Sequence, residues 1–387
     1  MSDPERLVEM LTNLGALTPQ WRDAVATVDR ARFVPAVYRH GDRVLRRTEQ
    51  PRAWARYVYG DLPLVTQVDD GSGEGGLGTP TSSTSMPSLM LEMLALLDVA
   101  EGHRVAEIGT GTGYHAAWLA HRLGDAQVVT IETDPAVAEQ ARANLAACGY
   151  RPTVVCGDGL AGIPGHGPFD RLVCTCTVRE VPYAWIEQTP RGRIVTPWGN
   201  GFFSGSFAVL SVTEGVAQGR FAGRPAFMWA RQQRPVRGFL REHTHAPPAA
   251  EGSTRVHPER LYGELDQRFA VSVQLAGIWP LLVEADDGSQ ESTLWLLTDD
   301  RASWASVDYL PGHQEFPVQQ GGPRRVWDEV EAAHERWLGA GAPPRDRFGL
   351  TRDRAGQRVW LDQPEHVFAE TTAWPFPAAE GATRASA

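Results

Sequence analysis

The 387-residue chain contains no lysine: arginine supplies all 37 basic residues against 47 acidic ones, for a formal net charge of −10. That balance argues against a general nucleic-acid binder, which needs a basic face to meet phosphates. Without lysine there is also no Gly-Lys-Ser/Thr ending for a phosphate-cradling loop. No apolar run reaches the roughly 18 residues of a membrane span, so no membrane association is expected. The opening residues, Met1 to Arg6, carry acids and lead into an amphipathic pattern. That does not suit a secretory signal, and a cytoplasmic location is the expectation. The 4 cysteines lie between Cys148 and Cys176 and form no Cys-x-x-Cys pair. They are read as small buried hydrophobes rather than a metal or redox site. His243, His245 and His257 lack an acid or cysteine to complete a ligand set, and are expected as exposed loop histidines with no metal. The all-arginine usage fits a nucleotide bias of the source genome, or carboxylate recognition through bidentate pairs.

What the chain does have is concentrated in Arg104-Val-Ala-Glu-Ile-Gly-Thr-Gly-Thr-Gly-Tyr-His115. This reads as a buried strand, a glycine-rich turn and a helix, with Glu107 just before the first glycine. A nicotinamide fingerprint needs its third glycine one residue later, where Tyr114 stands. The pattern acid-x-Gly-x-Gly-x-Gly suits S-adenosylmethionine instead. Gly109, Gly111 and Gly113 let the backbone turn and approach a ligand, and Thr110 lies among them. The carboxylate of Glu107 is expected to face the cofactor's amine. A second apolar strand, Val128-Val-Thr-Ile-Glu132, ends in an acid at the spacing that places a carboxylate on a ribose diol. A third, Thr153-Val-Val-Cys-Gly-Asp-Gly159, puts Asp158 and Gly159 where an adenine amine could bind. Three strands ending in acids or glycines at one edge match the ligand side of an open α/β sheet.

Along the chain, residues 5–30 read as two short amphipathic helices, and Leu62–Gln67 as a strand. A Gly/Asp/Ser-rich insert at 69–80 has the composition of a mobile loop. Ser85 or a neighbour is expected to cap a helix that has Pro87 near its start and buries Leu89, Met93, Leu96 and Leu97. Strands and helices alternate from Arg104 to about Val212, the pattern of a parallel sheet covered on both faces. Beyond residue 225 lie eight of the 13 tryptophans. Strands are expected at Phe269–Leu275, Thr293–Thr298, Ser303–Asp308 and Val359–Asp362, with a helix over about Arg325–Leu338. The expected fold class is therefore α/β: a class I Rossmann-like methyltransferase domain over 1–225 and a smaller α+β domain over 226–387.

Several segments together resemble the protein L-isoaspartate O-methyltransferases over roughly residues 5–215. They are Arg32-Phe-Val-Pro35 with Tyr38, Ser83-Thr-Ser-Met-Pro87, Glu107 to Tyr114, Gly157-Asp-Gly159, Pro168-Phe-Asp170 and Val181-Pro182. The resemblance implies that Ser85 sits beside the acceptor carboxylate, with Ser83 and Thr84 as further substrate contacts. Ser83 departs from the threonine usual there. By the same resemblance, repair enzymes end near where the C-terminal region begins. The extended form is similar to homologues that accompany ribosomally made, post-translationally modified peptides. These methylate an ordinary aspartate in a constrained peptide, which then closes to an aspartimide or opens to isoaspartate. General repair of isoaspartyl proteins is the alternative. The partner is in either case a peptide or protein, gripped by C-terminal tryptophans and arginines; the oligomeric state stays open.

Overall fold

The computed structural model describes residues 3–72, 78–235, 237–245 and 247–371. A ten-stranded sheet organises them. Its parallel half runs in the order Arg193–Gly199, Arg171–Cys174, Val105–Ile108, Val128–Glu132, Thr153–Cys156. The strands Val105–Ile108 and Val128–Glu132 are buried on both faces because helices cover both sides, as parallel sheets require. Tyr114–Leu123 and Pro135–Ala147 are two of those helices. The doubly wound α/β class expected from the alternation is what forms.

The helices Asp3–Asn13 and Pro19–Thr27 precede a four-stranded antiparallel sheet whose last strand, Pro80–Thr84, delivers the chain to the helix Pro87–Leu97. That helix buries Leu89, Met93 and Leu97 but leaves Leu96 only partly covered. Its N-cap is Met86, the neighbour of Ser85, and the capping oxygen comes from Asp61, whose Oδ1 accepts the Ser88 amide at 2.8 Å. The insert at 69–80 lies partly outside the described residues. Its start is a short 3-10 turn, Asp69–Gly71, and its end joins the strand Pro80–Thr84.

After residue 225 the chain changes layer. A five-stranded antiparallel sheet, which includes the expected strands Ser292–Thr298 and Trp304–Tyr309, packs against the helices Pro258–Gly263, Leu265–Ser272 and Val326–Gly339. Separation from the first layer is incomplete. Phe348–Arg352 pairs antiparallel with Val216–Ala222, and Gln357–Leu361 and Val367–Thr371 follow it, so these three strands extend the ten-stranded sheet.

One strand expected here is a helix instead. Phe269 to Ser272 closes the helix Leu265–Ser272, with Val273 at its C-cap. Phe269, Ala270 and Val273 enter the core of the large sheet, whereas Val271 faces the core of the small one. With a core on each side, residues 269–273 are all buried, and a short helical stretch that is buried all round shows no amphipathic period to tell it from a buried strand.

The cysteines and histidines also depart in part from expectation. Cys174 is buried and Cys176 follows the strand end, but Cys156 is exposed. His243 is buried against Trp279 with ring centroids 5.2 Å apart, whereas His245 is exposed. No cluster of histidine, cysteine or acids that could hold a metal exists among the described residues, and no described helix is long and apolar enough to cross a membrane.

Candidate active site

The carboxyl ends of the parallel strands open onto a cavity of about 390 Å³, the size of a small-molecule site. Gly109, Thr110, Gly111, Glu132, Asp158 and Gly159 line one side of it, and Ser83, Thr84 and Ser85 line the other. Nine of the eleven residues singled out from the sequence thus meet in one place; Glu107 and Gly113 stand behind the lining.

The glycine loop is fixed from below. Gly109 has φ +93, and a Cβ there would stand 2.6 Å from Thr175 Oγ1, so only glycine fits. Glu107 is fully buried, with Oε1 2.6 Å from His115 Nδ1 and Oε2 accepting from Thr130 Oγ1 at 2.7 Å. Thr110 Oγ1 lies 2.7 Å from Thr130 Oγ1 and joins the same network. Glu107, expected to face the cofactor's amine, thus stands behind the cavity lining, with one partner on each oxygen. Both of its oxygens are engaged beneath the loop, where they tie strand, turn and helix together. Partnering of this kind is what a buried carboxylate needs.

Glu132 does reach the cavity. Its Oε2 accepts the Gly111 amide at 2.9 Å and its Oε1 the Asp134 amide at 3.1 Å. Burial nevertheless pushes its pKa up, against the pull of those amides. Hydroxyl donors from a ribose diol would relieve that burial cost. Asp158 is exposed at the rim, and its Oδ1 accepts the Leu160 amide at 2.9 Å. Next to it, a Cβ on Gly159 would meet Ile108 Cγ2 at 2.5 Å and Ile131 Cγ2 at 3.1 Å. Lacking a side chain, residue 159 packs directly onto these isoleucines, and Ile108, Ile131 and Leu160 give this end of the cavity an apolar lining. Acid over diol, glycine cradle and apolar lining fit a nucleoside with an amino-acid tail, as S-adenosylmethionine has.

The acceptor side depends on a residue the sequence did not mark. Arg30 is 1% exposed, and its Nη1 and Nη2 donate to the carbonyls of Val58, Gly60, Leu62, Thr84 and Ser85 at 2.8–3.3 Å. Burial pulls its pKa down to about 10, which leaves it charged at neutral pH. It stitches three loops together and fixes the backbone that carries Ser83 to Ser85. In a chain where every basic residue is arginine, nothing in composition separates Arg30 from the rest. Thr84 Oγ1 lies 3.2 Å from Thr112 Oγ1, joining the acceptor segment to the glycine loop. Thr84 is only 2% exposed, so this contact holds the two walls together more than it offers a hydroxyl to a ligand.

Residues beyond 225 complete the cavity. Ala226 to Gln232 and Arg234 cross its open side. Thr177 holds this strap, its amide donating to Met228 O at 2.7 Å and its carbonyl accepting from Ala230 at 2.9 Å. Among the described residues, Trp229 is the only C-terminal tryptophan in the lining. Trp279, Trp304, Trp327, Trp337 and Trp360 are buried, Trp295 is half-buried, and Trp374 lies outside the described residues. Five of the eight tryptophans expected to grip a peptide are therefore core, and Trp229 is the described one that faces the cavity.

Comparison with known proteins agrees with this geometry. The profile of the protein-L-isoaspartate(D-aspartate) O-methyltransferase family matches residues 2–206. The protein-L-isoaspartate O-methyltransferase of Methanopyrus kandleri is 34% identical over 229 residues, 58% of this chain and 89% of its own. Protein-L-isoaspartate O-methyltransferase 2 of Archaeoglobus fulgidus is 36% identical over 199 residues, 51% of this chain and 78% of its own. A solved protein-L-isoaspartate O-methyltransferase superposes over 93% of this chain and 100% of its own, with a TM-score of 0.53 and 22% identity. That last likeness concerns the fold, and it corrects one expectation: enzymes of that name do not all end near residue 225.

Proposed function

The chain belongs to the protein-L-isoaspartate O-methyltransferase family and is an S-adenosylmethionine-dependent carboxyl methyltransferase; we propose that its acceptor is the free carboxylate of an isoaspartyl residue in a protein or peptide. The observation that carries this reading is the juxtaposition of Ser83–Ser85, anchored by Arg30, with the glycine loop and Glu132 in one cavity.

When bound, S-adenosylmethionine supplies a methyl group on a positively charged sulfur. The protein's part is placement. A carboxylate is already ionised at neutral pH, so no side chain has to remove a proton. Ser85 donates its hydroxyl to the carboxylate oxygen that does not attack, which aims the other. Glu132 and Asp158 would hold the ribose and base, beside the apolar lining of Ile108 and Ile131. The strap from Ala226 to Arg234 keeps water out, and that favours a reaction in which opposite charges cancel. Fixing the two reactants in line supplies most of the acceleration.

A second reading is methylation of an ordinary aspartate in a constrained, ribosomally made peptide, followed by loss of methanol to an aspartimide. The strap and Asp70 at the cavity mouth favour it, because they narrow the opening to a shaped peptide. We also propose that residues 226–387 contribute to peptide recognition chiefly through this strap. Intact-mass analysis separates the readings. Methylation of a short isoaspartyl peptide supports the first; a gain of methyl followed by loss of methanol on a constrained aspartyl peptide alone replaces it with the second.

A further inference from the structure

Two stretches far apart in sequence meet at the mouth of the cavity. Asp70 follows the strand Leu64–Val68, and Arg231 and Arg234 lie on the strap. Arg234 sets its two terminal nitrogens on the two oxygens of Asp70, each at 3.1 Å. Arg231 places Nε 3.2 Å from the same carboxylate and Nη2 3.3 Å from Asp134 Oδ2. Three guanidinium nitrogens thus converge on one carboxylate, the planar fork geometry that makes arginine a reader of carboxylates.

The two acids are not equally committed. Asp134 accepts the amides of Ala136 and Val137 on Oδ1 and the Gln67 amide group on Oδ2, which caps the helix Pro135–Ala147. Asp70 stands on a turn with φ 52, left-handed for a residue other than glycine. Its side chain is 36% exposed, against 11% for Asp134. Ion pairs this open to solvent contribute little net free energy, so one carboxylate can replace another here at small cost.

We propose that Arg231 and Arg234 form a carboxylate-reading pair for which Asp70 is a resident placeholder. The acceptor is then an acidic peptide, whose aspartate or glutamate beside the methylated residue takes the place of Asp70. The proposal deepens, and rests on, the reading of this cavity as a peptide methylation site. Ser85, Trp229, Arg231 and Arg234 line the same cavity, so a peptide with its acceptor carboxylate at Ser85 leaves past the strap and brings its neighbouring residues to the pair.

The test uses the full-length protein saturated with S-adenosylhomocysteine and four fluorescein-labelled six-residue peptides. Each has isoaspartate or aspartate at the centre, flanked by glutamates or by glutamines. Binding is read by fluorescence polarisation; methyl transfer is read separately by mass with S-adenosylmethionine. The glutamate-flanked peptides are expected to bind about tenfold tighter at low salt, with the ratio shrinking as salt screens the pair. That ratio falls towards one in Arg231→Gln and Arg234→Gln, recovers in part in Arg234→Lys, and widens in Asp70→Asn, which removes the competing carboxylate. Thermal melting checks that each variant folds, and Asp70→Asn carries the test should an arginine variant fail to. Equal binding of both flank types by the wild-type protein, no binding of any peptide, or a ratio unmoved by these substitutions overturns the pair. Acidic preference without any methyl transfer keeps the pair and removes the methylation reading. Methyl transfer with no preference for acidic flanks does the reverse.

Discussion

The floor of the cavity and its mouth are built from the same residue types in opposite ways. On the floor, Glu107 and Arg30 are fully buried, and each meets a dense set of partners supplied by neighbouring strands and loops. At the mouth, Arg231, Arg234 and Asp70 keep about a third of their surface in water and meet across more than 160 residues of chain. A charge on the floor holds the backbone in place, because a buried carbonyl or carboxylate that loses its partner has no water to turn to. A charge at the mouth can exchange partners. The contrast says where this enzyme is rigid and where it can select.

Breaking the floor should cost the most. Arg30→Met leaves five carbonyls to find other donors and is expected to lower stability by about 3 kcal/mol or more, seen as a large fall in melting temperature. Should the protein melt normally, the floor is less tightly coupled than its hydrogen bonds imply. Next comes Glu132→Gln, which trades a charged acceptor for a neutral one and should weaken S-adenosylhomocysteine binding by about 10–100-fold in calorimetry. The wild-type pH profile follows from the raised pKa of Glu132. Its buried charge is disfavoured in the empty protein, so the group contributes most to folding while protonated, below its ordinary pKa, and that contribution is lost as pH rises through the raised value. Ligand hydroxyls prefer the ionised form. Affinity should therefore fall as pH drops through that raised value, and in Glu132→Gln the dependence should flatten.

Gly159→Ala pushes a methyl group into Ile108 and Ile131 and should cost about 1–3 kcal/mol of stability together with cofactor affinity. Loss of one without the other would separate the apolar lining from the sheet that supports it. For Ser85→Ala the expected loss is about tenfold or more in kcat/KM, the size of a lost hydrogen bond to a charged group, with little change in melting temperature or cofactor binding. The smallest effect belongs to the mouth. Arg234→Gln should shift stability by no more than about 1 kcal/mol; a larger shift would show that the mouth is part of the frame after all.

Legibility followed the same divide. Gly109, Gly111, Glu132, Asp158 and Gly159 could be read because strand, turn and acid lie within a few residues of one another, and the sheet then aligns those ends without further instruction. Ser83–Ser85 came through resemblance, since three hydroxyl residues carry no chemistry on their own. Arg30 was invisible because its partners are backbone carbonyls, which every sequence has. The helix Leu265–Ser272 was misread because it lies between two cores. Buried on both sides, its apolar run carries no helical period that the sequence could display.

By itself the sequence determined the α/β class, the cofactor and the acids at the strand ends, because each is written in short-range patterns that backbone geometry must obey. The tertiary structure alone decided that Glu107 meets His115 and Thr130, that Arg30 holds the acceptor segment, that residues 348–371 return to the large sheet, and that Asp70 meets Arg231 and Arg234 over the cavity. Those outcomes depend on which remote groups reach the same low-dielectric or solvent-facing spot, and only the folded chain brings them there.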